Sequence, residues 1–464
     1  MGGPFWGFTF AFSKPIQQIM KRTLIQNATV VNEGQSKIMD VALEGERIVA
    51  VAAHLEKQDD DLCIDATGLH LLPGLIDDQV HFREPGLTHK ADIASESQAA
   101  VAGGITSFIE MPNTQPQTTN LEALAAKFET ASTKSAANYS FMFGGTNDNL
   151  EEILKLDKNA VAGLKLFLGS STGNMLVDSP EVLEKIFSST DMVISVHCED
   201  EETIRTNTAK YVEKYGDDIP VELHPIIRSE EACYLSSSKA IELAKKTGAR
   251  LHVFHLSTAK ETMLFENSIP LEKKKITAEV CVHHLWFSDA DYANKKTLIK
   301  WNPAVKTKND QDGLWEALND DRIDVLATDH APHTLAEKQN PYTKAPSGGP
   351  LVQHALLALL TASKKGKIGL EKLVQKACHN PAILFDVKDR GYINPGYFAD
   401  LVLVDLQKTT TVTSDATLYK CGWSPFEGTR FEAAIHSTFV NGVLAYTDGK
   451  VLAANAGQRL TFDR

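Results

Sequence analysis

The stretch at residues 72–86 is LPGLIDDQVHFREPG, and the rest of the chain is organised around it. Its apolar residues predict a short buried strand that begins after Pro73-Gly74 and ends in polar residues. His81 and Arg83 are two positions apart, so on a strand both side chains point to the same side. A histidine that can bind a metal and an arginine that can bind an anion, together at a strand end, are typical of an enzyme pocket.

The middle of the chain, residues 73–389, alternates strand and helix patterns. Eight strands with intervening helices over roughly 315 residues predict a (β/α)8 TIM barrel, an α/β fold. An open, doubly wound sheet is the alternative, but it predicts a G-x-G-x-x-G phosphate loop after the first strand, and none opens a helix there. The strands are predicted at 75–81, 105–111, 139–143, 163–168, 192–197, 251–256, 276–282 and 323–328. The helices are predicted at 92–102, 121–131, 180–188, 230–247, 259–267 and 310–318.

Both ends of the chain carry further strand patterns. Those between residues 20 and 72 are too few to bury a core by themselves. Residues 390–464 add more strands, two of them joined by Asn441-Gly442, a strong hairpin signal. We therefore expect residues 20–72 and 390–464 to form one small β-sandwich, with the barrel of residues 73–389 inserted between them. Residues 1–19 are apolar and aromatic, and we expect a disordered extension there.

The composition, with 43% hydrophobic and 23% charged residues, is that of an ordinary globular protein. The formal net charge of −13 argues against nucleic acid or an anionic membrane as the main partner, because both favour basic proteins. The six cysteines form no Cys-x-x-Cys pair, which fits reduced thiols better than disulfides. No apolar run approaches the ~18 residues that span a bilayer. We therefore expect a cytoplasmic protein whose partner is a small molecule.

Ionisable residues stand where the predicted barrel strands end, which is where active-site groups gather in this fold. The first strand ends in His81, the fifth in His197 and the sixth near His255. The fourth strand holds Lys165 among apolar residues, and Asp329 follows the eighth strand. Together these five side chains predict a metal site.

Three of these assignments have simpler alternatives. A lone histidine in a strand is more often a core residue than a ligand; we take His255, nearest the strand end, as the ligand and His252 as structural. The Lys165 side chain could lie along the barrel wall and keep its ammonium group in water, but burying that charge among its apolar neighbours has a large desolvation cost. A neutral lysine can instead react with CO2 to form a carbamate that bridges two metals, which explains Lys165 better. Asp329 could be a helix cap.

A series of motifs resembles one known family, the dihydroorotases of the amidohydrolase superfamily, from about residue 21 to 450. The motifs are PGLID at 73–77, HFREPG at 81–86, AGGIT at 102–106, MPNT at 111–114, GLKL at 163–166, HLST at 255–258, TAEV at 277–280, HHL at 283–285, NP at 302–303, TDHAPH at 328–333 and WSPFEG at 423–428. The resemblance implies a barrel with a composite β domain. It also implies the reversible cyclisation of N-carbamoyl-L-aspartate to (S)-dihydroorotate in pyrimidine biosynthesis.

The resemblance further implies a role for each site residue. One or two Zn²⁺ ions are expected, with Lys165 N6-carboxylated as the bridging ligand, His197 and His255 on one metal, and His81 and Asp329 on the other. Asp329 is also the expected catalytic residue, which takes and returns a proton. The expected substrate ligands are Arg83, Asn113 and His333 for the carboxylate, and Asn302 for the ring or the carbamoyl group.

Arg83 separates the expected activity from its neighbours in the superfamily. Allantoinases and dihydropyrimidinases (hydantoinases) share much of the pattern, but their substrates lack a free carboxylate on the ring carbon. Arginine binds a planar carboxylate through two parallel hydrogen bonds, so Arg83, Asn113 and His333 together favour dihydroorotate. Another cyclic amidase is the alternative.

Two positions depart from the family pattern. Gln79 stands where the first histidine of His-x-His is expected, and Lys306 stands where arginine is more common. An amide oxygen binds zinc less tightly than imidazole does. Three interpretations follow: the enzyme holds one of its metals weakly, or it uses Gln79 as a ligand, or the protein is a non-catalytic scaffold that binds another pyrimidine-pathway enzyme. A homo-oligomer, dimer or tetramer, is also expected. A loop at 340–350 either closes over substrate or is an ordinary surface loop.

Overall fold

The computed structural model describes residues 22–169 and 175–464, which form a barrel and a β domain. The extension expected at residues 1–19 lies outside the described residues. The strands are β1 Thr23–Asn32, β2 Gln35–Glu44, β3 Arg47–Ala52, β4 Leu62–Asp65, β5 His70–Pro73, β6 Leu75–Val80, β7 Ile105–Glu110, β8 Asn138–Gly144, β9 Gly163–Phe167, β10 Val193–His197, β11 Arg250–Val253, β12 Ile276–Cys281, β13 Val325–Ala327, β14 Leu401–Asp405, β15 Thr410–Thr411, β16 Arg430–Phe431, β17 Ala434–Val440, β18 Val443–Thr447 and β19 Lys450–Val451.

Eight parallel strands, β6 to β13, pair in sequence order and form the barrel. A parallel bridge between Val80 and His330 joins the last strand region to the first, and the His81 amide donates to the His330 carbonyl at 2.7 Å. The barrel is therefore closed, and all eight predicted strands are confirmed. Most of their residues are buried on both faces, as expected of strands covered by helices outside and packed side chains inside.

The helices surround the barrel. Four of the six predicted helices are confirmed to within one residue of both bounds, and the last extends from 308 to 319 rather than 310 to 318. The prediction at 259–267 is wrong in its second half, because α8 ends at Thr262 and the amides of residues 263–265 bond three residues back, as in a 3₁₀ turn. The helices are α1 Ile93–Ala102, α2 Leu121–Ser132, α3 Leu150–Ile153, α4 Pro180–Ser189, α5 Glu201–Tyr215, α6 His224–Ile227, α7 Glu230–Thr247, α8 Ala259–Thr262, α9 Val282–Trp286, α10 Tyr292–Lys295, α11 Lys308–Asn319, α12 Leu335–Lys338, α13 Ala355–Lys364, α14 Leu370–Val374 and α15 Asn380–Leu384.

Strands from both chain ends form one β domain, as predicted. Nine of these strands lie in one sheet rather than in two, with the order β19-β18-β17-β14-β5-β1-β2-β3 and β4 beside β1, while the short β15 and β16 pair with each other. The reason is β5, which pairs in parallel with β1 and antiparallel with β14, so that it joins the N-terminal half to the C-terminal half. The Asn441-Gly442 turn connects β17 and β18 as the hairpin signal predicts.

The chain passes between the two parts more than once. After β19 it returns to the barrel, where the Leu460 amide donates to the Tyr139 carbonyl at 2.9 Å. The segment around Trp423 packs at the barrel mouth, and its indole donates to the His333 carbonyl at 2.8 Å. The division at residues 72 and 389 therefore stays a prediction. Among the helices of the described residues, none combines the length and the apolar character needed to cross a membrane.

Candidate functional site

A cavity of about 180 Å³ opens at the C-terminal ends of the barrel strands. All nine side chains predicted for the site line it, together with Gln79. They come from elements that are far apart in sequence, and barrel closure is what brings them together. The lining residues are Gln79, His81, Arg83, Asn113, Lys165, Phe167, His197, His255, Trp301, Asn302, Asp329, Ala331, His333, Pro346, Ser347 and Gly348.

His197 and His255 form the first candidate pair of ligands. His197 Nδ1 lies 3.0 Å from His255 Nε2, a separation that fits two ligands of one ion. The other ring nitrogen of His197 lies 2.9 Å from Glu199 Oε2, and Glu199 is in turn bound by Arg228. A carboxylate behind a histidine fixes the ring orientation and the tautomer of a metal ligand. His197 is therefore held with Nδ1 facing the cavity.

His81 and Asp329 form the second candidate pair. His81 Nε2 lies 3.2 Å from Asp329 Oδ1, and His81 Nδ1 lies 2.8 Å from Asn113 Oδ1. Since an amide oxygen only accepts, the proton of the neutral ring is on Nδ1 and the Nε2 lone pair faces the cavity. Burial raises the pKa of Asp329 to about 7, while Lys165, His197 and Arg83 oppose this shift.

Lys165 is also part of the cavity wall. Its ammonium is 4.2 Å from the centre of the Phe254 ring and 4.9 Å from that of Phe167. No acidic side chain of residues 22–169 and 175–464 forms an ion pair with it. Burial consequently lowers the pKa of Lys165 to about 7. Much of this lysine is therefore the neutral amine at neutral pH, which is the form that reacts with CO2.

Arg83 and His333 form the opposite wall. Arg83 Nε donates to the Pro332 carbonyl at 3.0 Å, and Arg83 Nη2 lies 3.1 Å from His333 Nε2. No described acidic side chain forms an ion pair with Arg83, and burial lowers its pKa to about 10. Lys90 Nζ lies behind this wall, 3.1 Å from His333 Nδ1, but it is paired with Glu337 at 3.0 Å, so the uncompensated charge is that of Arg83. This side of the cavity is therefore suited to an anion.

The loop that carries Ser347 closes the remaining side. Ser347 Oγ donates to Asn302 Oδ1 at 2.9 Å, and the Ser347 carbonyl lies 3.0 Å from His333 Nε2. Lys338 anchors the loop from behind, because its buried Nζ lies within hydrogen-bond distance of the carbonyls of Gly348 at 2.7 Å, Pro346 at 2.9 Å and Lys300 at 3.2 Å. The loop is a wall held in place by these bonds.

Three of the predicted site residues have positive φ angles: Arg83 at 69°, His255 at 40° and Asp329 at 50°. Residues other than glycine rarely adopt this left-handed conformation, which costs on the order of 1 kcal/mol or more and is concentrated at functional sites. Each of the three follows directly after a barrel strand or within a few residues of one. The turn in the backbone directs their side chains into the cavity.

A larger hollow of about 780 Å³ lies at the other end of the barrel, before β12 and β13. Its lysines are already paired with aspartates: Lys274 with Asp324, and both Lys372 and Lys376 with Asp321. In this fold the N-terminal ends of the strands serve stability rather than chemistry. The smaller cavity is therefore the candidate active site.

Comparison with known proteins agrees with this geometry. Residues 70–445 match the amidohydrolase family. The chain belongs to the amidohydrolase family. This amidohydrolase is 34% identical to the dihydroorotase of Halobacterium salinarum over 427 residues, which cover 91% of this chain and 97% of that protein. It is also 34% identical to the dihydroorotase of Carboxydothermus hydrogenoformans, with 90% and 96% covered.

Solved structures of related enzymes share the fold of this amidohydrolase. The L-hydantoinase (dihydropyrimidinase) from Arthrobacter aurescens superposes with a TM-score of 0.90 at 28% identity, covering 95% of this chain and 100% of that one. The dihydropyrimidinase from Brevibacillus agri gives a TM-score of 0.87 at 27% identity, covering 96% and 100%. The (β/α)8 barrel with its terminal β domain is thus the architecture of these relatives.

The donors present in this amidohydrolase fit the metal that its family requires. Burial lowers the pKa values of His81, His197 and His255, so all three rings are neutral and have lone pairs for a cation. Gln79 lines the same cavity, and its Oε1 has only a long contact of 3.8 Å with Cys281 Sγ. Whether Gln79 replaces a histidine as a ligand stays a prediction.

Sequence analysis of this amidohydrolase missed the residues that hold the site from behind. Glu199 and Arg228 orient His197, and Lys338 anchors the Ser347 loop. Glu199 follows His197 by two positions, a spacing that could have indicated it. Arg228 and Lys338 carry no local signal, because their role depends on contacts across the fold. His252 lies outside the cavity, in agreement with its assignment as a core residue.

Proposed function

We propose that this amidohydrolase is a dihydroorotase, which closes N-carbamoyl-L-aspartate to (S)-dihydroorotate and water and reopens the ring. Relatives that bear this name match the chain over nearly its whole length. The proposed reaction forms or breaks one amide C–N bond, with water as the other reactant. The cavity of about 180 Å³ has room for a small, compact substrate of this kind.

The observation that carries the proposal is the unpaired positive charge of Arg83. A buried arginine without a carboxylate partner is costly in the empty protein. A substrate carboxylate would compensate this charge through two parallel N–H···O bonds. Dihydroorotate has such a carboxylate on the ring carbon next to its nitrogen, and a dihydropyrimidine or hydantoin without one leaves Arg83 uncompensated. Asn113 and His333, on the same side, are proposed to complete the carboxylate site.

We propose that the two ligand pairs hold one or two Zn²⁺ ions. His197 with His255 would hold one ion, His81 with Asp329 the other, and Lys165 would bridge them as an N6-carboxylated side chain. Its low pKa favours the neutral amine that reacts with CO2. Bound zinc would supply a nucleophilic water at neutral pH and polarise the amide carbonyl.

The side chains of the chain itself supply proton transfer and positioning. Asp329 lies at the cavity wall with a raised pKa of about 7, so near neutral pH it can accept a proton from water and return it to the leaving nitrogen. Asn302, held by Ser347 Oγ at 2.9 Å, is proposed to contact the ring or the carbamoyl group. The Ser347 loop limits the access of other water molecules to the substrate.

A second candidate is a hydantoinase or dihydropyrimidinase, favoured by the structural relatives with TM-scores of 0.90 and 0.87. A third candidate activity is that of an allantoinase. Because Gln79 stands where a metal-binding histidine is expected, a non-catalytic scaffold protein is a further alternative. The purified, zinc-loaded protein should be assayed with dihydroorotate, dihydrouracil, hydantoin and allantoin. We expect kcat/KM for dihydroorotate to exceed the others by at least about 100-fold, since Arg83 selects a carboxylate. A higher kcat/KM for one of the uncharged rings would refute the dihydroorotase assignment in favour of that activity. Absence of turnover in protein with metal bound would favour the non-catalytic scaffold.

We further propose that the protein acts in the cytoplasm and self-associates as a dimer or tetramer. Contact with another pyrimidine-pathway enzyme is part of the same proposal. Light scattering of the purified full chain tests the association, with a monomer at micromolar concentration as the contradicting result.

A further inference from the structure

Three ionisable side chains meet inside the barrel, outside the cavity described above. Asp78 comes from β6, His252 from β11 and Glu279 from β12, and all three are fully buried. One ligand atom from each lies within 4.8 Å of the other two. No described lysine or arginine forms an ion pair with Asp78 or Glu279.

The hydrogen bond of His252 to Thr277 fixes the orientation of its ring within this cluster. The Thr277 hydroxyl donates to the Leu251 carbonyl at 3.2 Å, so Thr277 Oγ1 is left to accept from His252 Nδ1, 2.8 Å away. A proton is therefore held on Nδ1, and Nε2 faces Asp78 and Glu279. Burial disfavours the charged ring, but these two carboxylates raise the pKa of His252 to about 9, so a bound cation would take the place of the second proton, on Nε2. A polar partner that fixes the tautomer in this way is typical of a histidine that binds a metal through its other nitrogen.

The atoms that face each other have no hydrogen-bond partners. Both oxygens of Asp78, Nε2 of His252 and Oε2 of Glu279 are buried and unpartnered. Buried groups of this kind are costly unless they are paired or bind a cation. Glu279 Oε1, in contrast, accepts from the His255 amide at 3.0 Å and from Cys281 Sγ at 3.1 Å. Glu279 is thus held from one side, with its other oxygen aimed into the cluster.

The distances between the ligand atoms leave room for a metal ion in place of that proton. His252 Nε2 lies 3.3 Å from Asp78 Oδ2 and 3.8 Å from Glu279 Oε2. A hydrogen bond between imidazolium and carboxylate is shorter, about 2.7–2.9 Å. Ligands of a tetrahedral zinc, each about 2.0–2.1 Å from the ion, lie roughly 3.3–3.4 Å apart. The second carboxylate oxygen of Asp78 can provide a fourth donor.

We propose that Asp78, His252 and Glu279 form a second, structural metal site, which holds a divalent transition-metal ion such as Zn²⁺ inside the barrel. Two carboxylates and one neutral imidazole balance the charge of such an ion. The ion would link β6, β11 and β12 across the barrel interior beneath the cavity. Because the cluster is closed to solvent, the ion would enter during folding and exchange slowly. The proposal is independent of the reaction catalysed in the cavity.

The test counts zinc in variants that lack one site or both. A variant that combines His81→Ala, His197→Ala, His255→Ala and Asp329→Ala removes both ligand pairs of the cavity, and the same variant with Asp78→Asn disables both sites. Each is expressed in zinc-supplemented medium, dialysed against metal-free buffer and analysed by plasma mass spectrometry. We expect about one zinc per chain in the first variant and less than about 0.2 in the second. Glu261→Gln, added instead of Asp78→Asn, is the matched control, because Glu261 is a buried carboxylate whose hydrogen bonds are satisfied by Ser237 and Thr258.

Crystals of the unchanged protein provide a measurement that does not depend on variants that fold. Anomalous difference density at the zinc edge should appear between Asp78, His252 and Glu279 as well as in the cavity. Density in the cavity alone would overturn the proposal and place a proton between the three groups. A cavity-disabled variant that folds without zinc, or zinc that is retained after Asp78→Asn, would overturn it as well.

Discussion

Replacement of Arg83 by methionine tests the substrate assignment most sharply. Methionine keeps much of the volume of the side chain and removes its charge and all its donors. In the proposed complex the substrate carboxylate and the buried guanidinium compensate each other, and no described carboxylate competes for Arg83. Breaking a buried pair of this kind costs about 3–5 kcal/mol. Since about 1.4 kcal/mol is a factor of ten, kcat/KM for dihydroorotate should fall by two to almost four orders of magnitude.

The assay compares two substrates that differ in the carboxylate. Hydrolysis of dihydroorotate and dihydrouracil is followed by the loss of ultraviolet absorbance of the ring amide, with zinc content measured in the same samples. Arg83→Met should lower kcat/KM for dihydroorotate and leave that for dihydrouracil within a factor of about three. Arg205→Met, on the exposed face of α5, is the control and should change neither. A loss below tenfold for dihydroorotate, or an equal loss for both substrates, would refute the carboxylate role of Arg83.

Four further predictions concern the metal ligands and the loop. In metal-free protein with ¹³C-bicarbonate, Lys165 should give a carbamate signal in the ¹³C nuclear magnetic resonance spectrum. The signal should weaken as the pH falls from 8 to 6, because the pKa of Lys165 is about 7 and the reactive neutral amine is lost below that value. A signal that persists in Lys165→Met would contradict the assignment. Asp329→Asn should lower kcat by roughly 10²–10⁴ without altering circular dichroism, and near-normal turnover would remove Asp329 from proton transfer. Lys338→Met should speed amide hydrogen exchange at residues 345–349 and lower the free energy of unfolding by about 3 kcal/mol or more. The reason is that up to three buried carbonyls lose their hydrogen-bond donor, at a cost of about 1–3 kcal/mol each. Unchanged exchange would show that Lys338 does not anchor the loop. Gln79→His should tighten zinc binding during titration with a chelator, because imidazole binds zinc better than an amide oxygen, and equal affinity would mean that Gln79 is a competent ligand or lies outside the metal site.

The barrel could be predicted from sequence because its strands are short apolar runs bounded by helix patterns. Among the described helices of ten residues or more, α5 and α13 escaped prediction, for opposite reasons. Along α5, only Ile204 is buried, so no apolar stripe marks the helix. Along α13, eight of ten residues are buried, so the apolar run has no polar face to reveal its period. Helix periodicity is visible only where one face is apolar and the other polar.

The single sheet of the β domain could not be distinguished from a sandwich by strand patterns. The difference depends on the four-residue strand β5. Two of its residues pair with β1 on one side, and all four pair on the other side with β14, which lies more than 300 residues later. Strand pairing over such a distance leaves no local trace in the sequence. Motif positions predicted the residues that line the cavity, most of which lie at or just after the end of a barrel strand.

The groups behind the cavity were beyond the reach of the sequence for the same physical reason. Arg228 reaches Glu199, and Asp78 meets His252 and Glu279, only after the barrel closes. A charged residue in a strand can be a ligand, half of an ion pair or part of a buried cluster. Only the neighbours that folding supplies decide between these roles.

The most direct test of the central claim is a crystal structure of the zinc-loaded protein with dihydroorotate bound. The account predicts the substrate carboxylate within about 3 Å of the Arg83 guanidinium. It also predicts the ring amide carbonyl on the side of His81, His197, His255 and Asp329, with electron density for a carboxylated Lys165. A carboxylate that points away from Arg83, or a ring that binds only outside the cavity, would contradict it.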